Sequence, residues 1–391
     1  MKKRTDADDL RAAAKLVVEA TLGVTHAVES MHRALGGGPA LLGHPLEATM
    51  GRAIAPIYGS VRGVTRFVGA AVDLAFAQLA PLLSERAPGP QRMAFISALN
   101  GVLGDRLFDT GSALALPMEL RRQETGRKVL VLVHGSCLND QQWLREGHDH
   151  GQALARDLGY TCVYVRYNSG RHISTNGREL ASSLETLVAE GPGDVEELTL
   201  LGHSMGGLVI RSAADIGGQA SHAWRRRLRR MAFLGAPHHG SPLERAGNWA
   251  DFLLGVNAYS APIGVLARIR SAGVTDLRYG NVRDEDWGGA DRFLKRRDLR
   301  TPLPLPTDVE SYAVAGTKSP RGATTLRGDG LVPVDSALGR HGVAGHALGF
   351  PESHCWIAHE TDHLGLLKSQ EVYETLRAWF ATPPGKGPSK T

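Results

Sequence analysis

A chain of 391 residues has room for one large domain with an appendage, and 42% apolar residues is ordinary for a protein that buries a full core. The net charge of +5 is mixed in sign and has no aromatic residues interleaved on a basic face, which argues against a nucleic-acid-binding protein. The three cysteines, Cys137, Cys162 and Cys355, are too few and wrongly spaced for a disulfide framework or a zinc site; reduced thiols fit a cytoplasmic setting. At the N-terminus, Met1-Lys2-Lys3-Arg4 is followed by Asp6, Asp8 and Asp9 where an apolar signal core would begin, so no secretion signal is expected.

From about residue 8 to 35 an apolar stripe runs through Leu10, Ala14, Val17, Val24, Val28, Met31 and Leu35. A Gly36-Gly37-Gly38-Pro39 break follows, and the stripe resumes as Ile54, Ile57, Val61, Val64, Val68, Ala75, Leu79 and Leu82. Two such helices predict an antiparallel hairpin, with a third helix through Met93, Ile96, Leu99, Val102 and Leu103. Residues 1–110 thus form an expected helical appendage. Its most apolar stretch, 67–83, holds Asp73, Gln78 and Pro81 and falls short of the roughly 20 residues that span a bilayer. Packing is its expected role, and peripheral membrane contact is the alternative.

Beyond Leu120 the pattern changes to alternating strands and helices. Strands are predicted at 128–133, 161–167, 198–201, 231–234 and 311–315, with a further one near 354–358 and a last helix over 369–380. This alternation predicts an α/β fold with a mainly parallel sheet covered by helices on both faces, over residues 120–382. Residues 240–306 interrupt it with Trp249, Phe252, Leu253, Leu254, Ile263, Val265, Leu266 and Ile269, which would either pack on the core or form an apolar lid. The Pro/Gly-rich tail 383–391 is expected to be disordered. The densest basic run, Arg225 to Arg230, reads as a solvated helix end whose cations suit the helix dipole, with anionic lipid as the sharper alternative.

The chemistry centres on Gly202-His203-Ser204-Met205-Gly206-Gly207, set between the apolar run 198–201 and the helical run 208–214. Strand, GxSxG, helix is the nucleophile elbow, which lifts a serine hydroxyl above a sheet. A serine needs a base to take its proton and an acid to orient that base. After Ser204, in the order this arrangement requires, come Asp329 in a Gly-flanked loop and His363 in a polar loop before the last helix. Their rivals are Asp335 and Asp308, and His354 and His359. An oxyanion hole would take one backbone N–H from Met205 and another from the loop after strand 128–133, where Ser136 is the candidate and Cys137 the alternative. Cys137 itself lies off any elbow and reads as a chemical bystander.

The chain resembles the α/β-hydrolase serine esterases and lipases from about Leu120 to Phe380, and within them bacterial lipase-like and GPI inositol-deacylase-like proteins. The matching pieces are VLVHG at 131–135, LLGHSMGG at 200–207, FLGAPHHGSPL at 233–243, GDGLVP at 328–333 and DHLGLL at 362–367. The resemblance implies Ser204 as nucleophile, His363 as general base, Asp329 as orienting acid, and the amides of Ser136 and Met205 as the oxyanion hole. Several bacterial lipases of this type bind calcium through an aspartate two positions after the histidine; that position is Gly365 here, so neither calcium nor any other cofactor is expected. The expected activity is hydrolysis of lipid-like or hydrophobic esters, polyesters included. The rivals are an acyltransferase with the same triad and a membrane-associated protein with a vestigial hydrolase fold.

Overall fold

The computed structural model describes residues 89–122, 126–190, 195–241, 271–288, 298 and 300–382. The expected helices before residue 89, the apolar stretch 242–270 and the tail lie outside the described residues. One compact unit comprises Met93–Gly111 and Ala115–Thr391; of a second, Met1–Arg92 with Ser112–Leu114, only residues 89–92 and 112–114 are described. No helix among the described residues is long and apolar enough to cross a membrane.

Among the described residues seven strands form one sheet: β1 (Glu119–Arg122), β2 (Lys128–Val133), β3 (Thr161–Arg166), β4 (Glu197–His203), β5 (Leu228–Leu234), β6 (Glu310–Gly316) and β7 (Cys355–Ala358). Their order is β1-β3-β2-β4-β5-β6-β7, with β1 antiparallel to β3 and every other pair parallel. The six strands expected from sequence are all present. The central ones read as near-continuous apolar runs because both faces of a parallel sheet are buried: Val129 to Val133 are all at most 3% exposed.

On one face, Leu130, Leu132, Leu201, Ala232, Leu234 and Val314 pack with Ala153 and Leu154 of α2 (His150–Leu158) and Leu376 and Phe380 of α8 (Gln370–Ala381). Asp149 caps α2 by accepting from the Gln152 amide, and Gly159 ends it in the left-handed region, which a Cβ would disfavour. On the other face, α4 (Met205–Gln219) packs against β4 and β2, and α3 (Ile173–Glu190) packs against α4. Gly177 of α3 allows that approach, since a Cβ there would sit 2.5 Å from the Ser212 Cβ. The described residues of the unit also hold three short α-helices, α5 (Ala223–Arg227), α6 (Ala272–Asp276) and α7 (Val334–Ala337), and the Met93–Asp109 portion of α1 (Gly89–Asp109).

The basic run does not behave as one solvated patch. Arg225 pairs with Asp308 at 2.6 Å and Arg227 donates to the Val195 carbonyl. Arg230, inside β5 and 1% exposed, meets Glu197 at 2.5 Å and Glu310 at 3.3 Å on the neighbouring strands. Arg230 thus ties three strands together, while Arg225 and Arg227 are engaged by residues just ahead of β6 and β4.

Candidate active site

Ser204 sits between the end of β4 and the first residue of α4 with φ 53° and ψ −125°. A non-glycine residue in this region stores strain of about 1–3 kcal/mol, and it persists only where the surroundings fix it. Here the Ser204 amide donates to the Leu234 carbonyl at 2.8 Å, tying the turn to the end of β5. Both flanking glycines are sterically required. A Cβ on Gly202 would sit 2.6 Å from the Gly207 nitrogen, and one on Gly206 would lie 2.6 Å from the His134 carbonyl oxygen. Neither neighbour is a side-chain tip that could swing away. Strand, helix and the loop after β2 therefore approach backbone to backbone around the turn that carries Ser204, itself 3% exposed.

Asp329 and His363 leave the same end of the sheet on the loops after β6 and β7, where open α/β sheets bind ligands. The His363 Nδ1–H donates to Asp329 Oδ2 at 2.7 Å, and the His363 amide donates to the Asp329 carbonyl at 3.0 Å. Both side chains are buried, Asp329 at 1% and His363 at 4% exposure. The other carboxylate oxygen, Oδ1, accepts from the amides of Leu331 and Val332 at 2.8 Å each. The acid is thus clamped in one rotamer, and the imidazole is held with its proton on Nδ1. Gly235, at φ 57° just after β5, makes room for the pair: a Cβ there would sit 3.1 Å from Asp329 Oδ2 and 3.3 Å from His363 Cε1. None of the rivals Asp335, Asp308, His354 and His359 joins this pair. Asp308 pairs with Arg225, Asp335 with Arg340, His354 Nδ1 donates to the Ser311 carbonyl, and His359 Nδ1 to the Ser319 carbonyl.

His203, the residue before the serine, joins the two halves. Its Nε2–H donates to the His363 carbonyl at 3.0 Å, and the two rings lie 4.8 Å apart. Burial, reinforced by the neighbouring His363, holds its pKa well below the ordinary histidine value, so it stays neutral at physiological pH. A carbonyl can only accept, so the His203 proton is on Nε2, and Nδ1 has no partner among the described residues.

The loop after β2 lies against the elbow, with a Gly135 Cβ position 3.0 Å from the Ser204 Cβ. Leu138 N–H closes a turn to the Gly135 carbonyl at 3.3 Å, and Cys137 occupies its third position at φ 63°. A left-handed third residue marks a type II turn, where glycine is the usual occupant. The Cys137 amide donates to Ser169 Oγ at 3.0 Å. Among the described residues nothing accepts from the amides of Ser136 or Met205, the latter at the positive end of the 15-residue helix α4. No group of three or more His, Cys, Asp or Glu side chains among the described residues is placed to hold a metal ion.

Sequence reading missed His203, Gly235 and Ser169. The first two lie inside quoted motifs, where their smallness or adjacency was the signal; a lone serine after β3 carries none. A sharp strand–turn–helix bearing Ser204, on a mainly parallel sheet with an Asp–His pair at the same edge, is the α/β-hydrolase fold.

A family model described as a domain of unknown function (DUF7379) matches residues 106–277. Among solved structures, the chain is similar to the mature form of the Bacillus licheniformis lipase BlEst2, at 20% identity and a TM-score of 0.44, over 68% of this chain and 97% of that one. It is also similar to Aspergillus fumigatus lipase B, at 11% identity and a TM-score of 0.43, over 69% and 57%. Lipase 1 from Pelosinus fermentans matches at 13% identity and a TM-score of 0.43, over 66% and 100%. No curated protein matches the chain.

Proposed function

We propose that the protein is a serine carboxylic-ester hydrolase that works through an acyl-serine intermediate. The observation that carries this reading is the buried Asp329–His363 hydrogen bond at 2.7 Å, formed beside a strained serine elbow. With its proton on Nδ1, His363 offers the Nε2 lone pair to the Ser204 hydroxyl. As Ser204 Oγ attacks the ester carbonyl, that proton moves to Nε2 and Asp329 stabilises the imidazolium. The tetrahedral oxygen takes its charge beside the Ser136 and Met205 amides; because the Cys137 amide is already engaged, Ser136 is the favoured second donor. His363 then protonates the departing alkoxide, and the alcohol leaves. Water, deprotonated by the same nitrogen, attacks the acyl-serine, and the imidazolium returns that proton to Ser204 Oγ as the acid leaves.

The apolar residues of 249–269 favour a hydrophobic, lipid-like ester as substrate. The test is turnover of p-nitrophenyl butyrate and octanoate by the parent and Ser204→Ala, with labelling by a serine-directed phosphonate. Loss of turnover by about 10⁴-fold or more and loss of labelling are expected. Equal turnover by the two proteins would sink the reading. Product analysis with a competing alcohol separates hydrolysis from acyl transfer.

A further inference from the structure

The proposed oxyanion loop is held in an unfavourable backbone conformation, and the structure shows what holds it. Cys137 has no glycine's freedom at φ 63°, yet its amide and its Cα face are both engaged. From one side, Ser169, a residue 1% exposed, accepts the Cys137 N–H on its Oγ at 3.0 Å. From the other, α1 passes so closely at Gly101 that a Cβ there would sit 2.9 Å from both the Cα and the nitrogen of Cys137, and against its Sγ. The helix is fixed in that place by polar contacts. Ser271 Oγ donates to the Gly101 carbonyl at 2.6 Å, and Asn168 Nδ2 donates to the Gly104 carbonyl at 2.8 Å. Gly170 sits 2.6 Å from the Gly104 nitrogen, measured from where its Cβ would be. The segment 168–170 and α1 thus grip the loop between them.

We propose that Ser169 is a positioning residue for the oxyanion hole: by taking the Cys137 amide it holds the turn so that the Ser136 amide is the one left to meet the substrate oxygen, with Gly101 of α1 as the backstop. This rests on the acyl-serine reading above. A free Cys137 amide could relax the turn toward an ordinary φ, and relaxation would carry the Ser136–Cys137 peptide with it. The support acts on the transition state, where the oxygen becomes charged, and hardly at all on the bound ester.

The experiment compares Ser169→Ala, Ser169→Cys and Gly101→Ala with the parent on p-nitrophenyl butyrate, with Ser204→Ala run in parallel. For both Ser169 variants kcat should fall tenfold or more, short of the 10²–10³-fold of a deleted donor, while KM stays within about twofold. Affinity for an alkyl trifluoromethyl ketone, which forms an anionic tetrahedral adduct with serine, should fall by the same factor as kcat/KM. A merely structural role would lower Tm or the active fraction without moving that ketone affinity. Ser169→Cys keeps the side-chain volume with a weaker acceptor, so it reads the effect should the alanine variant be recovered unfolded. Gly101→Ala disturbs the turn from the opposite face and should reproduce the kcat loss. Parental kcat and ketone affinity in a folded Ser169 variant would overturn the proposal, as would a fall in kcat with ketone affinity unchanged. If Ser204→Ala turns over like the parent, the acyl-serine reading itself has failed, whatever the Ser169 variants do.

Discussion

Asp329→Asn is the perturbation whose outcome the structure constrains most tightly. An asparagine can place either its oxygen or its NH₂ toward His363, and the backbone decides which. The position of Oδ1 faces two amide donors, Leu331 and Val332, at 2.8 Å each. Turning an NH₂ toward both would leave two buried amides without an acceptor, at about 1–3 kcal/mol apiece. The oxygen therefore stays there, and the NH₂ faces His363 Nδ1 across the present 2.7 Å contact. Nδ1 must now accept, the ring proton moves to Nε2, and the lone pair that would take the serine proton is gone. A wrong tautomer of this kind costs about 10⁴ in kcat, which corresponds to roughly 5.4 kcal/mol of activation free energy. Stability should hardly change, because the backbone hydrogen bonds persist; Tm should move by less than about 4 °C. The assay is p-nitrophenyl butyrate hydrolysis at saturating substrate, with circular dichroism melts on the same samples. A folded variant within tenfold of the parental kcat would refute the reasoning.

Two further predictions concern stability. Arg230→Met should destabilise the protein by about 3 kcal/mol in urea titrations, because Glu197 and Glu310 lose a buried partner, and further Glu197→Gln and Glu310→Gln changes should recover part of the loss. A melt unchanged by Arg230→Met would show that the ion pairs contribute nothing net. The second is acid sensitivity. Burial lowers the pKa values of His134 and His150 to about 4, against about 6.5 unfolded. Between those values the unfolded chain binds more protons, so this stability is complete above pH 6.5 and is lost as pH falls toward 4, by roughly 3 kcal/mol per group. Urea titrations across pH 7.5 to 4.5 should show that slope, and His150→Gln should make it shallower by one proton; an unaltered slope would remove His150 from the account.

What was legible in the sequence follows physical lines. The six strands announced themselves because a sheet buried on both faces demands unbroken apolar runs, as in 128–133. β1 gave no such sign. Its residues, Glu-Leu-Arg-Arg, lie at the sheet edge and are held by pairing with β3 and by charge, with Glu119 3.6 Å from Arg166 and Arg121 3.4 Å from Asp140. The order serine, aspartate, histidine is a property of the chain itself, so the Asp329–His363 pair could be anticipated before any distance was known. The Ser169 contact could not: it joins an amide and a hydroxyl 32 residues apart, and neither residue type is distinctive. The basic run misled for a related reason, since nothing local separates Arg230, paired across three strands, from its more exposed neighbours.

The thiol of Cys137 lies in the loop proposed to receive a negatively charged oxygen. Its burial pushes the pKa up to about 12, so the sulfur stays protonated and uncharged at neutral and mildly alkaline pH. A thiolate there would repel the charge proposed to develop beside the loop, and would expose the turn to oxidants. Enclosure by α1 therefore gives the loop chemical silence as well as shape. Alkylating reagents and mild peroxide should leave it untouched for as long as the helix stays in place.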